Sequence, residues 1–218
     1  MEIQIGMNVL EKNDLEAQEN ARIFQENKVF VLNMMSSPGS GKTTILENTI
    51  AALKDEFSIA IIEGDVYTDR DAARIRQFGV PVVQINTHGG CHLDAKMIRD
   101  VLPEFDLKNI DFLVIENVGN LVCPAEFRLG ENERVAVLSV PEGDDKPIKY
   151  PVLFRESGVA LINKIDLLPF FDFNMPRVTQ EIKGINPDIE LFPVSCTTKE
   201  NFALWLDWLR KNIKINRG

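Results

Sequence analysis

No apolar run in the chain approaches the roughly 20 residues that a membrane span requires. The opening Met1-Glu2-Ile3-Gln4-Ile5-Gly6 has neither the basic nor the apolar region of a secretory leader. The expected location is the cytoplasm, with no membrane partner. Positive charge is also short: 24 Lys and Arg stand against 33 Asp and Glu, a formal net charge of −9. Affinity for a phosphate backbone comes from clustered Lys and Arg, so this balance argues against nucleic acid as the main partner, and local basic groups must hold any phosphate. Cysteine is sparse and odd in number, at Cys91, Cys123 and Cys196. In a reducing compartment these are thiols or metal ligands before they are disulfides. Internal repeats, low-complexity tracts and linkers are missing as well. With 218 residues and 44% hydrophobic content, the chain suits one sizeable α/β domain better than two.

What is present is a regular alternation. Apolar, β-type runs occur at Val29–Met35, Ser58–Ile62, Pro81–Ile85, Phe112–Glu116, Arg134–Val140, Val159–Asn163 and Glu190–Val194. Helical stretches lie between most of them, at Thr43–Lys54, Asp69–Phe78, Leu93–Leu102, Pro176–Ile185 and Lys199–Ile213. Continuous apolar strands separated by amphipathic helices predict a mostly parallel central sheet with helices on both faces. The charged stretch Val9–Asn27, with apolar positions at Leu10, Leu15, Ala21, Ile23 and Phe24, predicts a helix laid on the body or against a partner. The expected division is a helical segment over residues 1–27 and one α/β domain over 28–218. Ligands of such sheets sit at the carboxyl ends of the strands, so chemistry is sought in the polar residues just after each run.

The first of these ends carries the strongest motif. Val29–Met35 runs into Ser36-Ser37-Pro38-Gly39-Ser40-Gly41-Lys42-Thr43-Thr44 and then a helix former, the strand, loop and helix context of a phosphate-binding P-loop. Gly39 and Gly41 let the backbone turn its N–H groups inward around a polyphosphate at the helix N-terminus. Lys42 would reach the β- and γ-phosphates and the Thr43 hydroxyl would hold Mg²⁺. Ser36 stands where the usual pattern opens with glycine. The fold expected is thus that of a P-loop NTPase.

A second strand end reads the base. Val159–Ile162 leads into Asn163-Lys164-Ile165-Asp166, the N-K-x-D pattern of guanine-nucleotide hydrolases. A carboxylate at Asp166 accepts both the N1–H and the exocyclic N2–H of guanine, whereas adenine offers no donor at N1. A site built to bond a donor rejects the analogue lacking it by factors on the order of 10⁴. Asn163 would tie this loop to the P-loop and edge the base, and the Lys164 stem would cover the ring plane. One strand later, in Ser195-Cys196-Thr197, a backbone N–H is placed to read the guanine carbonyl.

On the hydrolysis side, Phe112–Ile115 ends in Glu116-Asn117-Val118-Gly119, a D-x-x-G switch with Glu for Asp. Glu116 is positioned for the Mg²⁺ shell and the Gly119 N–H for the γ-phosphate. After Ile59–Ile62 comes Glu63-Gly64-Asp65, with Asp65 expected as a second metal-shell or water-orienting carboxylate and Val66–Asp71 as a nucleotide-sensing loop; the alternative for Asp65 is a cap of the helix Asp69–Phe78, for which Asp69 is already available. No arginine stands out as a finger. Lys146, in the polar turn Glu142–Pro147, is a candidate charge for the phosphates, the alternative being a solvated turn.

Both histidines fall in His88-Gly89-Gly90-Cys91-His92, and Cys123 lies just beyond Glu116–Gly119. Thiolate and imidazole suit Ni²⁺ and Zn²⁺. Three ligands do not close a tetrahedral structural site, so an open site, or one completed across a symmetric dimer, is expected. The alternative is an inert thiol beside a surface imidazole. Cys196 belongs with the base-side loop.

Taken together, Ser36–Thr44, Gly64–Ala72, Cys91-His92-Leu93-Asp94-Ala95, Glu116–Pro124 and Asn163–Asp166 resemble the HypB-type nickel-incorporation GTPases of [NiFe]-hydrogenase maturation, from about residue 28 onward. The Cys91-His92 and Val122-Cys123-Pro124 elements are the specific ones. The resemblance implies a GTP-promoted homodimer that carries Ni²⁺ or Zn²⁺ through Cys91, His92 and Cys123. It also implies a HypA-type metallochaperone partner and delivery to the hydrogenase large subunit. The related urease GTPases share the architecture, but their Cys-Pro-His motif is missing. Residues 1–27 contain neither Cys nor His, so no nickel store of the kind many members carry lies in that segment, and His88 has no counterpart in the pattern. Competing readings are a urease-type nickel GTPase, a P-loop small-molecule kinase, and a metal-binding module with a vestigial nucleotide loop.

Overall fold

Strands buried on both faces need apolar side chains at successive positions, and Phe30–Ser36 (β1) is buried along its whole length. The computed structural model describes residues 4–66 and 70–218, with residues 4–8 and 70 described for their backbone only. Around β1 it builds a seven-stranded sheet in the order β3-β2-β4-β1-β5-β6-β7, every pairing parallel. In chain order the elements are α1 (Gln4–Glu26), β1, α2 (Lys42–Leu53), β2 (Ile59–Asp65), α3 (Arg70–Arg76), β3 (Val82–Asn86) and α4 (Ala95–Val101). There follow β4 (Phe112–Glu116), α5 (Cys123–Glu126), β5 (Glu133–Ser139), α6 (Lys146–Lys149) and α7 (Pro151–Arg155). The chain closes with β6 (Val159–Asn163), α8 (Met175–Ile185), β7 (Glu190–Pro193) and α9 (Phe202–Arg217).

Alternate residues of β1 serve opposite cores. Phe30, Leu32 and Met34 pack with Ile45, Leu46 and Ile50 of α2 and with Trp205 and Leu209 of α9. Val31 packs on the other face with Phe24 of α1 and Ile98 of α4. Further along that second face, Met35 joins Phe154 of α7 and Val178 and Ile182 of α8. Because β1 has β4 on one side and β5 on the other, the strand order reverses there. The crevice at its carboxyl end is the natural ligand position of an open parallel sheet.

Each predicted strand is present within three residues of its expected ends, and the sheet is wholly parallel rather than mostly so. The one consequential shift is β2, which continues past Ile62 to Asp65, so Glu63 is a strand residue with a buried side chain. The helix expected over Lys199–Ile213 begins at Phe202 and continues to Arg217, Lys199 and Asn201 taking the left-handed conformation of a turn instead. The expected cap Asp69 lies outside the described residues. So does the middle of the loop assigned to nucleotide sensing.

α1 is laid on the body. Asn20, fully buried, donates from Nδ2 to the carbonyls of Ala95 (2.8 Å) and Leu129 (2.9 Å), and its Oδ1 accepts from Arg99 Nε (2.7 Å). About two turns earlier Asn13 donates to the Arg128 carbonyl and accepts from the Ala95 amide, both at 2.8 Å. Gly130, at φ +98°, lets the following loop approach closely: a Cβ there would lie 2.6 Å from the Ala17 carbonyl.

Candidate functional site

The loop after β1 is shaped by two glycines at positive φ, Gly39 (+80°) and Gly41 (+99°). Gly41 is also the cap of α2 and offers no side chain to the first amides of that helix, which remain turned to the loop. A side chain there has no room, since a Cβ would lie 2.5 Å from Asn163 Nδ2. Ser36, the departure from the usual glycine, is satisfied within the loop. Its hydroxyl donates to the Ser37 carbonyl (2.7 Å) and accepts from Ser40 Oγ (2.5 Å) and Lys42 Nζ (2.9 Å). The buried Lys42 ammonium is thereby held inside the loop, where a polyphosphate would meet it.

A cavity of about 500 Å³ opens over this loop. Residues from Pro38 to Thr44 line it, together with Asp65, Glu116, Gly119 and Lys164, so the expected phosphate and Mg²⁺ residues are brought to one place. Thr43 Oγ1 donates to Glu116 Oε1 at 2.9 Å. Gly119 is pressed on the loop: a Cβ would stand 2.9 Å from Pro38 Cγ. Two side chains in the cavity were not anticipated. Glu63 faces Glu116, one carboxyl from each of two neighbouring strands. Arg74 lines the wall but spends its guanidinium on Glu47 (2.7 Å) and Asp71 (3.1 Å).

The Glu63 and Glu116 carboxyls are almost fully buried, and one oxygen of each, Oε2, has no partner. Burial first, and then the neighbouring Glu116 charge, holds Glu63 well above the carboxylate range. Burial also raises Glu116, opposed by Lys42. Two carboxyls raised by burial and set face to face favour a shared proton, and their Oε2 atoms beside a threonine hydroxyl form a hard-oxygen donor set that suits a small divalent cation.

The base corner adjoins the cavity. Asn163 Nδ2 donates to the Ser40 carbonyl (2.9 Å) and its Oδ1 accepts from the Lys164 amide (2.8 Å), so Asn163 ties the two loops together. Lys164, at φ +62°, reaches over to the Gly39 carbonyl (2.7 Å). Asp166 Oδ1 accepts from Ser195 Oγ at 2.6 Å, which fixes the carboxylate plane. Within Ser195-Cys196-Thr197 the Ser195 amide is spent on the Glu200 carbonyl (3.1 Å) and the Thr197 amide on Ser195 Oγ (3.2 Å). The Cys196 amide is the one of the three with no partner among the described residues. Its half-buried thiol is pushed up to about 11 by burial and has no thiolate character to offer. Lys146 stands apart, paired with Asp145 at 3.1 Å on its own short helix and outside the phosphate cavity. Glu142 from the same turn, not anticipated either, bonds the Ser37 hydroxyl of the phosphate loop and both the amide and the hydroxyl of Ser139.

Beyond Gly119 the chain runs into α5, whose first residue is Cys123. There Cys123 Sγ lies 2.9 Å from Cys91 Sγ, and Cys91 Sγ lies 3.6 Å from His92 Nδ1. One ligand atom from each of the three falls within 4.8 Å of the others, the one such grouping of His, Cys and acidic side chains among the described residues. The neighbouring Cys91 thiol, then burial, raises Cys123. Burial lowers His92 and keeps its imidazole neutral, the form that binds metals, against the Phe127 ring at 3.9 Å. Such a set of two thiols and one imidazole can hold a borderline-soft cation. His88 is exposed at positive φ and is not part of the cluster.

Residues 30–193 match the model of a family described as CobW/HypB/UreG, nucleotide-binding domain. The hydrogenase maturation factor HypB of Escherichia coli K12 is 50% identical over 207 residues, which cover 95% of this chain and 71% of that protein. Among solved structures, HypB from Helicobacter pylori in complex with nickel superposes with a TM-score of 0.88 at 41% identity, covering 94% of this chain and 97% of that one. The hydrogenase maturation factor HypB of Archaeoglobus fulgidus gives a TM-score of 0.88 at 38% identity, covering 93% and 99%.

Proposed function

The chain belongs to the CobW/HypB/UreG family of nucleotide-binding domains, and from that premise we propose that it is a HypB-type maturation factor. Its task is to hydrolyse GTP and to couple the nucleotide's state to delivery of nickel into the large subunit of a [NiFe]-hydrogenase. The guanine preference rests on Asp166, held by Ser195, and on the open Cys196 amide. Hydrolysis rests on Lys42, Thr43, Glu116, Gly119 and Asp65 around one cavity. Thr43, Glu116 and Asp65 would hold Mg²⁺, and the Glu116 Oε2 left without a hydrogen-bond partner supports that fit. When bound, the cation neutralises charge on the phosphate oxygens. Nickel is cargo, taken by Cys91, His92 and Cys123, with Zn²⁺ a chemically equivalent guest for the same ligands. A HypA-type metallochaperone and a second copy of the chain are the partners this reading requires.

One observation carries the proposal. The segment 116–126 starts at a carboxylate lining the cavity over the glycine loop and ends in the helix that carries Cys123, so a ligand that moves Gly119 acts on the segment bearing that thiol. A ligand can drive such a change only through its differential affinity for two arrangements. Titration of Ni²⁺ into the protein loaded with GDP, and separately with a non-hydrolysable GTP analogue, is expected to give different affinities. Identical affinities, together with the same oligomeric state in both, would overturn it.

A further inference from the structure

Neither Asn33 nor Asn117 is among the residues that would hold phosphate or metal, yet both are fully buried, Asn117 at the wall of the phosphate cavity. A buried carboxamide is unfavourable unless its donors and acceptor are matched. At Asn117 they are matched in an unusual way. Its Oδ1 accepts from two separate backbone segments, the Leu93 amide at 3.1 Å and the Val118 amide at 3.0 Å. Its Nδ2 donates to Asn33 Oδ1 at 3.1 Å. From there the network continues: Asn33 Nδ2 donates to Glu131 Oε1 (3.2 Å), which also accepts from Arg134 Nε (2.5 Å), and Arg134 Nη1 donates to the Ala125 carbonyl (2.9 Å).

Both ends of this chain of bonds adjoin the thiol–imidazole cluster. Leu93 follows His92, and Ala125 lies two residues past Cys123, while Asn117 itself sits between Glu116 and Gly119 of the phosphate cavity. Leu93 is also wedged from the β2 side, where a Cβ on Gly64 would lie 2.7 Å from Leu93 Cδ1. Covalent continuity transmits a shift of Gly119 to Cys123 alone. Metal affinity depends on where Cys123 stands relative to Cys91 and His92, which come from a different segment. Two further polar links join the segments, Asn120 Nδ2 to the Cys91 carbonyl at 3.2 Å and the Cys91–Cys123 thiol contact at 2.9 Å, but both are exposed and compete with water.

Resting on the coupling proposed above, we infer that Asn117 is the positioning residue that makes metal affinity depend on nucleotide state. A shift of the Glu116–Gly119 segment either draws the Leu93 amide with it or breaks a buried hydrogen bond, and the second course is the unfavourable one.

The test measures Ni²⁺ affinity by competition with a chromophoric chelator, at saturating GDP and at saturating GTP analogue, for the full chain and for Asn117→Ala. The ratio of the two dissociation constants is the readout. For the unsubstituted chain it is expected in the range of about 5- to 150-fold typical of coupled sites, and for Asn117→Ala below about twofold, with nickel still bound. A merely structural loss weakens both constants together and leaves the ratio alone. A ratio that survives in Asn117→Ala overturns the role of Asn117. A ratio of one in the unsubstituted chain overturns the nucleotide–metal coupling itself. Amide exchange at Leu93 gives a reading that needs no variant. Its protection should differ between the two nucleotide states, and equal protection in a chain whose nickel ratio departs from one would overturn the relay.

Discussion

At the scale of single residues, the site is a set of matched donors and acceptors, and Asp166 shows what such matching predicts. Ser195 occupies Oδ1 at 2.6 Å and fixes the carboxylate, so the amide of Asp166→Asn keeps its oxygen on Ser195 and turns a donor toward the base. That donor meets the exocyclic amino group of guanine, donor against donor, whereas the C2 carbonyl of xanthine accepts it. The expected outcome is a fall in kcat/KM for GTP of roughly 10²- to 10⁴-fold and a gain for xanthosine triphosphate. Steady-state phosphate release with both nucleotides measures it, and unchanged GTP selectivity would remove Asp166 from the base site. The motif residues were legible because their chemistry is local: Lys42, Thr43, Asn163 and Asp166 each follow a strand end at fixed spacing. Glu63 was not. Its role comes from a partner on another strand, Glu116, set opposite it by the β2–β4 register, and an acidic residue near the end of an apolar run reads as the start of a turn. Glu142 was missed for the same reason, since only the fold brings it to Ser37.

At the scale of elements, the strands were legible because a strand buried on both faces is apolar at most successive positions, as the five inner strands are, while the half-buried edge strands β3 and β7 still carry short apolar runs. The short helices were not. Cys123–Glu126, Lys146–Lys149 and Pro151–Arg155 each have a proline at the first or second position and span at most five residues. Pieces of that length show no 3.6-residue period and form only on a finished body, because nucleation is not repaid by so few hydrogen bonds. α1 gave a helical pattern but not its attachment, which is polar: Asn13 and Asn20 bind backbone groups at Ala95, Arg128 and Leu129. Asn20→Ala leaves two carbonyls and the Arg99 guanidinium without that partner in a buried seam, a loss of about 2–4 kcal/mol when each unmet group costs about 1–3 kcal/mol less relaxation. Urea unfolding should show the midpoint falling with an unchanged slope. A midpoint within error of the parent chain would mean that α1 is held by Phe24 and its apolar neighbours alone.

At the scale of the molecule, the pairing proposed above needs a surface on which two copies could meet. A net charge of −9 on each keeps them apart at long range. Yet the turn that begins at Ile165, beside Asp166, ends in an exposed apolar pair, Phe170 at 78% and Phe171 at 44% exposure. An exposed apolar pair four and five residues past Asp166 is a surface that a second copy could cover. The thiol–imidazole cluster points the same way, because three side chains alone would leave a tetrahedral metal site open and a second copy could supply the remainder. Light scattering should therefore give the 24.6 kDa of the single chain with GDP, and twice that mass with a GTP analogue and Ni²⁺. An interface made by apolar groups between like-charged copies should persist as salt is raised from about 0.1 M to 1 M, where charge attraction would be screened away. Phe170→Asp combined with Phe171→Asp should hold the protein at the single-chain mass in every nucleotide state while the Lys42 loop still binds nucleotide. Equal masses in both states would reject nucleotide-driven pairing, and a double variant that pairs as well as its parent would place the interface elsewhere.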